Sequence, residues 1–338
     1  MRSAPLADAP GIREPLHAPV AHVTRGGVIE GVHYGSVVVL GRGGEVRFAL
    51  GDTEAACYPR SALKPVQAAA MVRAGLPLDG ALLSLAMGSH SGEERHLAGV
   101  RRILALAGAT EEDLGNVPDL PYDPTVRDTW TRQGRPPSRL AQNCSGKHAA
   151  MLYTCILAGW PLENYLDPAH PLQRTIAEAV EELTGQRTAN VTVDGCGAPL
   201  FSVSLHGLAR AAARIATAAP GTAEHRVADA LRSHPEMASG AGRDVADLMR
   251  AVPGLLAKDG FEGVQVAALP DGRAVAVKIA DGANRARIPV TAAALAMAGA
   301  DPRLLARFTE QPVTGGDRLL GAIRPVPALA PTAAPVPA

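Results

Sequence analysis

A serine and a lysine stand three residues apart in Ser61-Ala62-Leu63-Lys64, a pair that could act as the nucleophile and base of a hydrolase. An apolar helical pattern begins here, and residues i and i+3 of a helix share a face with Cβ atoms about 5–6 Å apart. A neutral lysine amine can accept the serine proton, and a helix N-terminus favours developing negative charge. The motif occurs once in the chain. A surface serine and lysine at the start of an ordinary helix would explain the tetrapeptide equally well.

Lysine is scarce in this chain, so each lysine is a candidate for a chemical role. Lys and Arg total 33 residues, and the only lysines are Lys64, Lys147, Lys258 and Lys278. Arginine serves for solubility and ion pairs but cannot deprotonate, whereas a buried lysine can become a neutral base or ligand. A GC-rich coding sequence would explain the arginine excess by itself. All four retained lysines are therefore candidate site residues.

Two cysteines stand in short polar motifs that could bind a metal or provide a nucleophile. Cys144 and Lys147 repeat the three-residue spacing at another predicted helix start, beside Asn143 and His148. Cys196 follows a predicted strand in a glycine-flanked turn. Two thiolates with a nitrogen or oxygen ligand and water would suit tetrahedral Zn²⁺, although the spacing matches no standard zinc motif. The alternative is Cys144 as a nucleophile with His148 as its base.

A further serine-rich segment, Ser89-His90-Ser91-Gly92, follows an apolar stretch, as site loops often do. Ser89 could donate a hydrogen bond to the substrate or to Ser61, or could share a proton with a second lysine. The structural alternative is an ordinary serine-rich turn, which is the more common occurrence.

The bulk composition is that of a globular protein able to bury a large core, with 47% apolar and 20% charged residues among 338. A formal net charge of zero argues against a nucleic-acid or anionic-membrane partner. The N-terminus lacks the apolar region of a secretory signal, and no uncharged apolar run reaches transmembrane length. The four cysteines contain no Cys-x-x-Cys pair and do not suggest a disulfide framework. We therefore expect a cytoplasmic protein that binds neither nucleic acid nor membrane.

Strand patterns lie near both ends of the chain and enclose a helical middle. One hairpin is predicted within residues 28–51 and another within residues 263–279. Residues 115–141 show no clear periodicity and are predicted to form a long ordered loop, a kind of segment that is often functional. This order predicts an α+β fold, in which an antiparallel sheet built from both chain ends packs against helices.

The same patterns suggest how the chain is divided. We expect a single catalytic domain over residues 20–322, preceded by a loose leader at residues 1–19. Residues 323–338 are rich in Pro and Ala, cannot bury much apolar surface, and are expected to form a disordered tail.

Taken together, the motifs resemble those of the L-asparaginases of the asparaginase II type, a zinc-containing class with a serine β-lactamase-like fold. They occur in the family order across about residues 25–285. The stronger matches are residues 59–65, 89–93, 143–148 and 194–199, and the weaker ones are residues 235–237, 258–264 and 278–282.

The resemblance implies hydrolysis of L-asparagine to L-aspartate and ammonia. It implies Ser61 as the nucleophile with Lys64 as its base, and Ser89 paired with a second lysine, Lys258. Phe261 replaces an alanine of the family motif at this point, and Lys278 is the alternative second lysine. The resemblance further implies a homodimer, zinc ligands at Cys144, Lys147 and Cys196, and substrate-binding residues at Arg60, His90, Asn143, His148 and Asp194.

Three other functions remain open at this stage. Another Ser-x-x-Lys hydrolase, such as a β-lactamase or esterase, usually has a Ser-Asp-Asn loop and a Lys-Thr-Gly strand, and both are absent from this sequence. A glutaminase would differ only in substrate preference. A non-catalytic protein could instead bind zinc through Cys144 and Cys196.

Overall fold

The computed structural model describes residues 14–330, so residues 1–13 of the predicted leader and residues 331–338 of the predicted tail lie outside it. The strands are β1 (Ala18–Arg25), β2 (Val28–Leu40), β3 (Val46–Leu50), β4 (Val191–Val193), β5 (Pro199–Phe201), β6 (Leu256–Gly260), β7 (Val264–Ala268), β8 (Ala274–Ile279), β9 (Gln311–Gly315) and β10 (Arg318–Pro325). The helices are α1 (Lys64–Arg73), α2 (Gly80–Ala86), α3 (Glu94–Ala107), α4 (Pro124–Arg132), α5 (Ser145–Ala158), α6 (Pro171–Thr184), α7 (Leu205–Ala216), α8 (Ala223–Ser233), α9 (Pro235–Ala238), α10 (Asp244–Ala251), α11 (Arg287–Met297) and α12 (Pro302–Leu305). None of the helices within these described residues is long and apolar enough to cross a membrane.

One antiparallel sheet contains strands from both ends of the chain. Its order is β6-β7-β8-β2-β1-β10-β9, and β3 pairs with β2 beside this path. The strand β2 joins the two ends, because it pairs with β1 on one side and with β8 on the other. The predicted α+β fold, with an antiparallel sheet built from both chain ends, is therefore confirmed.

Alternate residues of β2 face two different helical layers, as the two-residue period of a strand requires. Val38 and Leu40 belong to the large apolar cluster formed with helices of the middle region, among them α1, α3 and α5. Val37 and Val39 belong to a second cluster, which includes residues of α11. The strands β6, β7 and β8 and the end of β2 are buried on both faces, and the helical middle of the chain lies on one of them.

The structure differs from the sequence prediction in the segment of residues 115–141. This segment contains α4, which begins after Asp123, whose side chain accepts a hydrogen bond from the Val126 N–H. Only Trp130 is buried on this helix, so the sequence carries no apolar stripe of helical period there. A second difference lies at the N-terminus, where β1 begins at Ala18, within the predicted leader.

Gly260, at the end of β6, brings this edge of the sheet against the turn that precedes α1. A Cβ atom at residue 260 would lie 2.3 Å from the Pro59 carbonyl oxygen and 3.2 Å from the Ala62 nitrogen. Only glycine permits such a close backbone approach. This contact places β6 next to the residues that begin α1.

Candidate active site

Ser61 lies in a 3-10 turn, Arg60–Leu63, that leads directly into α1. The backbone of Arg60 has φ of +53°, in the left-handed region that non-glycine residues rarely adopt. The Arg60 side chain is held from two sides: Nε donates to Asp194 Oδ1 at 2.7 Å, and the guanidinium lies 5.7 Å from the centre of the Phe261 ring. The turn before Ser61 is therefore fixed by contacts with distant parts of the chain.

Lys64 is the first residue of α1, and its side chain is buried, with 2% of the residue exposed. Its amine Nζ donates to the Gly88 carbonyl, to Ser89 Oγ at 3.2 Å and to Cys144 Sγ at 3.1 Å. Within residues 14–330, no hydrogen bond joins Lys64 Nζ to Ser61 Oγ. Lys64 thus connects the two halves of the predicted site, the serines and the thiols.

Ser89 lies between two lysines. Its Oγ is 3.2 Å from Lys64 Nζ and 3.4 Å from Lys258 Nζ, and the residue is 6% exposed. Lys258, on β6, also donates to Asp259, at 2.5 Å to Oδ1 and 2.9 Å to the carbonyl oxygen. Two amines, one hydroxyl and one carboxylate therefore form a continuous chain of contacts.

The alternative second lysine, Lys278, lies elsewhere. Its Nζ donates to the carbonyl oxygens of Glu262 and Ile279, and its side chain lines a separate small pocket beside Cys57. The structure thus brings Lys258, and not Lys278, to Ser89.

Burial and the neighbouring charges both act on the pKa of Lys258. Burial lowers its pKa to about 8, although the adjacent Asp259 carboxylate partly offsets this effect. Burial alone would raise the pKa of Asp259, but Lys258, Arg287 and Arg243 more than compensate and hold that pKa well below its usual range. Asp259 therefore remains a carboxylate while Lys258 can exchange its proton.

The two predicted thiols are buried beside two amines. Lys147 Nζ lies 3.1 Å from Cys196 Sγ, and Lys64 Nζ lies 3.1 Å from Cys144 Sγ. A hydrogen bond with Cys196, together with burial, raises the pKa of Cys144 to about 12, whereas the same bond holds the pKa of Cys196 well below its usual range. Burial lowers the pKa of Lys147, but the two sulfurs outweigh it and raise that pKa overall. Without a metal, the Lys147 amine and the Cys196 sulfur favour each other's charged forms.

The same atoms suit zinc in their chemistry, since thiolate sulfur and amine nitrogen are donors that Zn²⁺ accepts. In the described part of the chain, no group of three or more His, Cys, Asp or Glu side chains is arranged to hold a metal. Lys147 Nζ, which contacts Cys196 Sγ, could serve as a further donor only as a neutral amine.

The two histidines that were predicted to bind substrate, His90 and His148, are both buried. His90 Nε2 is 2.8 Å from Ser145 Oγ, and its ring stacks on His96 with centroids 5.1 Å apart. His148 Nδ1 is 2.8 Å from the Tyr165 hydroxyl. Burial holds the pKa of both His90 and His148 well below its usual range, so both rings are neutral. Neither ring lines the cavity described next.

A cavity of about 500 Å³ opens at the serines, a size in the usual range for small-molecule sites. Of the residues expected from sequence, Ser61, Ser89 and Asn143 line it. Arg60 and Asp194 form an ion pair with each other beside the turn before Ser61. The charged or aromatic lining residues that sequence reasoning missed include Tyr122, Arg127, Arg243, Asp244, Asp259 and Arg287. The one sequence feature that pointed to Tyr122 and Arg127 is the length of the loop predicted at residues 115–141, because long loops are often functional.

Serine hydroxyls beside buried lysines are typical of hydrolases that form acyl-enzymes. The model of the family described as L-asparaginase II matches residues 21–325. Because this match covers most of the chain, the protein belongs to the L-asparaginase II family. Membership in that family supports an amidohydrolase-type enzyme that acts on a small molecule.

Two solved structures are distantly similar to this chain. A β-lactamase from Mycobacterium bovis is 16% identical, with a TM-score of 0.43 over 78% of this chain and 94% of that one. The native form of Mglu is 16% identical, with a TM-score of 0.39 over 81% of this chain and 63% of that one. Scores this low carry no argument about function. No curated protein matches the chain.

Proposed function

We propose that the protein hydrolyses the side-chain carboxamide of L-asparagine to L-aspartate and ammonia. The observation that carries the proposal is the position of Ser89, held between Lys64 and Lys258 in a cavity that Ser61 also lines. Family membership supports the amide as the bond that is broken. The choice of asparagine comes from the motifs described above.

Ser61 is assigned the attack, and Ser89 is assigned proton transfer. Ser61 is half-buried and lines the cavity, whereas Ser89 is nearly buried and its oxygen already contacts two amines. Hydrogen bonds needed for catalysis often form only when substrate binds, so the Ser61–Lys64 contact is expected to close in the substrate complex. To accept the Ser61 proton, Lys64 must be a neutral amine, and it must then give up one of its three donated hydrogen bonds.

In the first half-reaction, Ser61 Oγ forms a bond to the carboxamide carbon and its proton passes to Lys64. The hydrogen bonds from Lys64 to Ser89 and from Lys258 to Ser89 provide a path along which this proton can pass between the two lysines. The tetrahedral intermediate then breaks its C–N bond, and the nitrogen takes the proton back from Lys64 and leaves as ammonia. Water next attacks the Ser61 ester and gives a proton to Lys64. The C–O bond to Ser61 then breaks, the Ser61 oxygen takes that proton, and the product leaves as a carboxylate.

We also propose that Cys144, Lys147 and Cys196 hold Zn²⁺ beside this site. A bound zinc would orient the substrate or act as a Lewis acid. The chemistry of the donor set supports zinc, and the contact from Cys144 to Lys64 connects the thiols with the serines. The metal-free alternative is the thiolate–ammonium pair of Cys196 and Lys147.

A panel of amides tested on purified protein, with metal analysis of the same sample, examines both proposals. We expect ammonia release to be fastest from L-asparagine, with close to one zinc per chain. Faster release from L-glutamine would indicate a glutaminase, and hydrolysis of nitrocefin alone would indicate a β-lactamase. Bound metal with no amide hydrolysis, and unfolding on chelation, would indicate a non-catalytic zinc-binding protein.

The pH dependence of kcat gives a separate test of Lys258. A lysine accepts a proton only when neutral, so a pKa of about 8 predicts that kcat rises with pH through about 8. Asp259→Asn removes the carboxylate that raises this pKa, and the rising limb should therefore move to lower pH. Ammonia release measured across pH checks the shift. Asp247→Asn, on the exposed side of α10, should leave the limb in place; a limb that stays fixed or moves to higher pH in Asp259→Asn contradicts the role of Lys258.

The homodimer and the cytoplasmic location remain predictions. Light scattering during size-exclusion chromatography would measure the oligomeric state directly.

A further inference from the structure

The cavity carries a cluster of four charged residues, of which the proposed chemistry uses only Asp259. We call Arg243, Arg287, Asp244 and Asp259 the arginine cluster; all four residues line the same cavity as Ser61. Arg243 Nη2 lies 3.2 Å from Asp259 Oδ2, and Arg287 Nη2 lies 2.6 Å from Asp244 Oδ2. The side chain of Arg287 is 4% exposed and that of Arg243 is 17% exposed. Burying two guanidinium groups is costly unless their charges and N–H groups are well paired.

That pairing is incomplete. Within residues 14–330, Arg243 Nη1, Arg287 Nε and Asp244 Oδ1 are buried and have no hydrogen-bond partner. Roughly nine in ten buried polar groups in proteins do have one, and each exception calls for an explanation such as a catalytic role or a missing ion. Three unpaired atoms on residues that line one cavity point to a ligand that supplies partners for them.

The arrangement of the unpaired atoms indicates the ligand's chemistry. Two guanidinium N–H donors suit a carboxylate, which arginine binds with paired, charge-assisted hydrogen bonds. The remaining acceptor, Asp244 Oδ1, suits an ammonium group. The arginine cluster has two cations and two carboxylates. Protonated Lys258, which contacts Asp259, adds a third cation, so one negative charge on a ligand would balance the total.

We propose that Arg243 and Arg287 form the subsite for the α-carboxylate of the substrate, with Asp244 accepting from its α-ammonium group. The identity of the amide rests on the proposed function. The substrate class is then a free amino-acid amide, since an asparagine inside a peptide lacks both charges. The unpaired atoms are shielded from solvent, so the guanidinium groups must turn toward the carboxylate; Arg243, 4.6 Å from the centre of the Tyr122 ring, is the more exposed of the two.

A chain of contacts connects this subsite with the reacting serines. Arg243 binds Asp259, Asp259 binds Lys258, and Lys258 contacts Ser89. A substrate carboxylate at Arg243 competes with Asp259 for the guanidinium. Arg243 is therefore both a specificity residue and a positioning residue for Lys258.

Calorimetric titration of the Ser61→Ala protein, which should bind substrate without turning it over, tests the subsite. L-asparagine is compared with L-asparaginamide, whose α-carboxylate is replaced by a carboxamide. Adding Arg243→Gln should weaken L-asparagine binding by about 10- to 100-fold, the usual loss for a hydrogen bond to a charged group, and should leave L-asparaginamide binding unchanged. Arg243→Lys, which keeps the charge but loses the paired geometry, should fall between. Arg250→Gln, an exposed arginine on α10, is the matched control and should change neither affinity.

Equal weakening of both ligands by Arg243→Gln, or no change in either, overturns the subsite. Failure of the proposed function is distinguishable: the wild-type protein would then release no ammonia from any amide. In that case L-aspartate is titrated into the wild type and into Arg243→Gln. Binding that depends on Arg243 supports a carboxylate subsite without the asparaginase activity, and binding that is absent or independent of Arg243 overturns it.

Discussion

Ser61→Ala is expected to lower kcat for ammonia release from L-asparagine by about 10⁴- to 10⁶-fold, the usual loss when a catalytic serine is removed. Without the hydroxyl no acyl-enzyme can form, and the remaining lysines can only assist a direct attack by water. The KM should change little, because the carboxylate and ammonium contacts proposed above do not involve Ser61. Steady-state ammonia release, with intact-protein mass measured during turnover for the acyl-enzyme, checks the result.

Two serine variants make this test specific. Ser91→Ala removes a buried hydroxyl from the same loop as Ser89, and Ser91 does not line the cavity, so near wild-type turnover is expected. Ser89→Ala should lower kcat less than Ser61→Ala, by about 10²- to 10⁴-fold, because it interrupts proton transfer but leaves the nucleophile. Near wild-type turnover in Ser61→Ala would reject Ser61 as the nucleophile. If acylation persisted in Ser61→Ala and disappeared in Ser89→Ala, the two roles would be reversed.

Lys64→Met should lower kcat by about 10²- to 10⁴-fold, the range for loss of a general base. Methionine has nearly the same length and keeps the site packed, but it removes the donor to the Gly88 carbonyl, Ser89 and Cys144. The measured quantities are kcat and KM for L-asparagine, with a thermal melt of the same sample to separate lost chemistry from lost folding.

Lys278→Met is the matched control for the lysine. Lys278 is partly buried and, like Lys64, donates to backbone carbonyl oxygens, but it lies in a different pocket. Turnover should stay within a few-fold of wild type. If Lys64→Met, melting at the wild-type temperature, kept its turnover while Lys278→Met lost it, the assignment of the base would be wrong.

The sequence by itself determined the types of chemistry available and the local elements that carry them. The serine and lysine at the start of α1, and the cysteine and lysine at the start of α5, could be found because helical periodicity is written in neighbouring residues. The two hairpins at residues 28–51 and 263–279 were predictable for the same reason, since apolar runs and turn residues stand side by side. Local patterns therefore predicted the fold class and pointed to Ser61 and Ser89, two of the residues that line the cavity.

Only the tertiary structure decided which of these residues meet. Lys258 and Lys278 flank the same predicted hairpin, yet only Lys258 reaches Ser89. The reason is that β6 packs against the turn that contains Ser61, through the close contact at Gly260. The pairing of β1 with β10 likewise joins residues about three hundred positions apart, which no local window can reveal.

The arginine cluster is the clearest case of what the sequence could not show. The 33 basic residues include four lysines, which leaves 29 arginines. No pattern in the neighbouring sequence distinguishes Arg243 and Arg287 from the arginines that serve solubility. The burial of Arg287 and the partial burial of Arg243 follow from the packing of α10 and α11 near β6 and β7, contacts that depend on the assembled sheet. Periodicity is a property of neighbours in sequence, whereas burial and charge pairing are properties of neighbours in space.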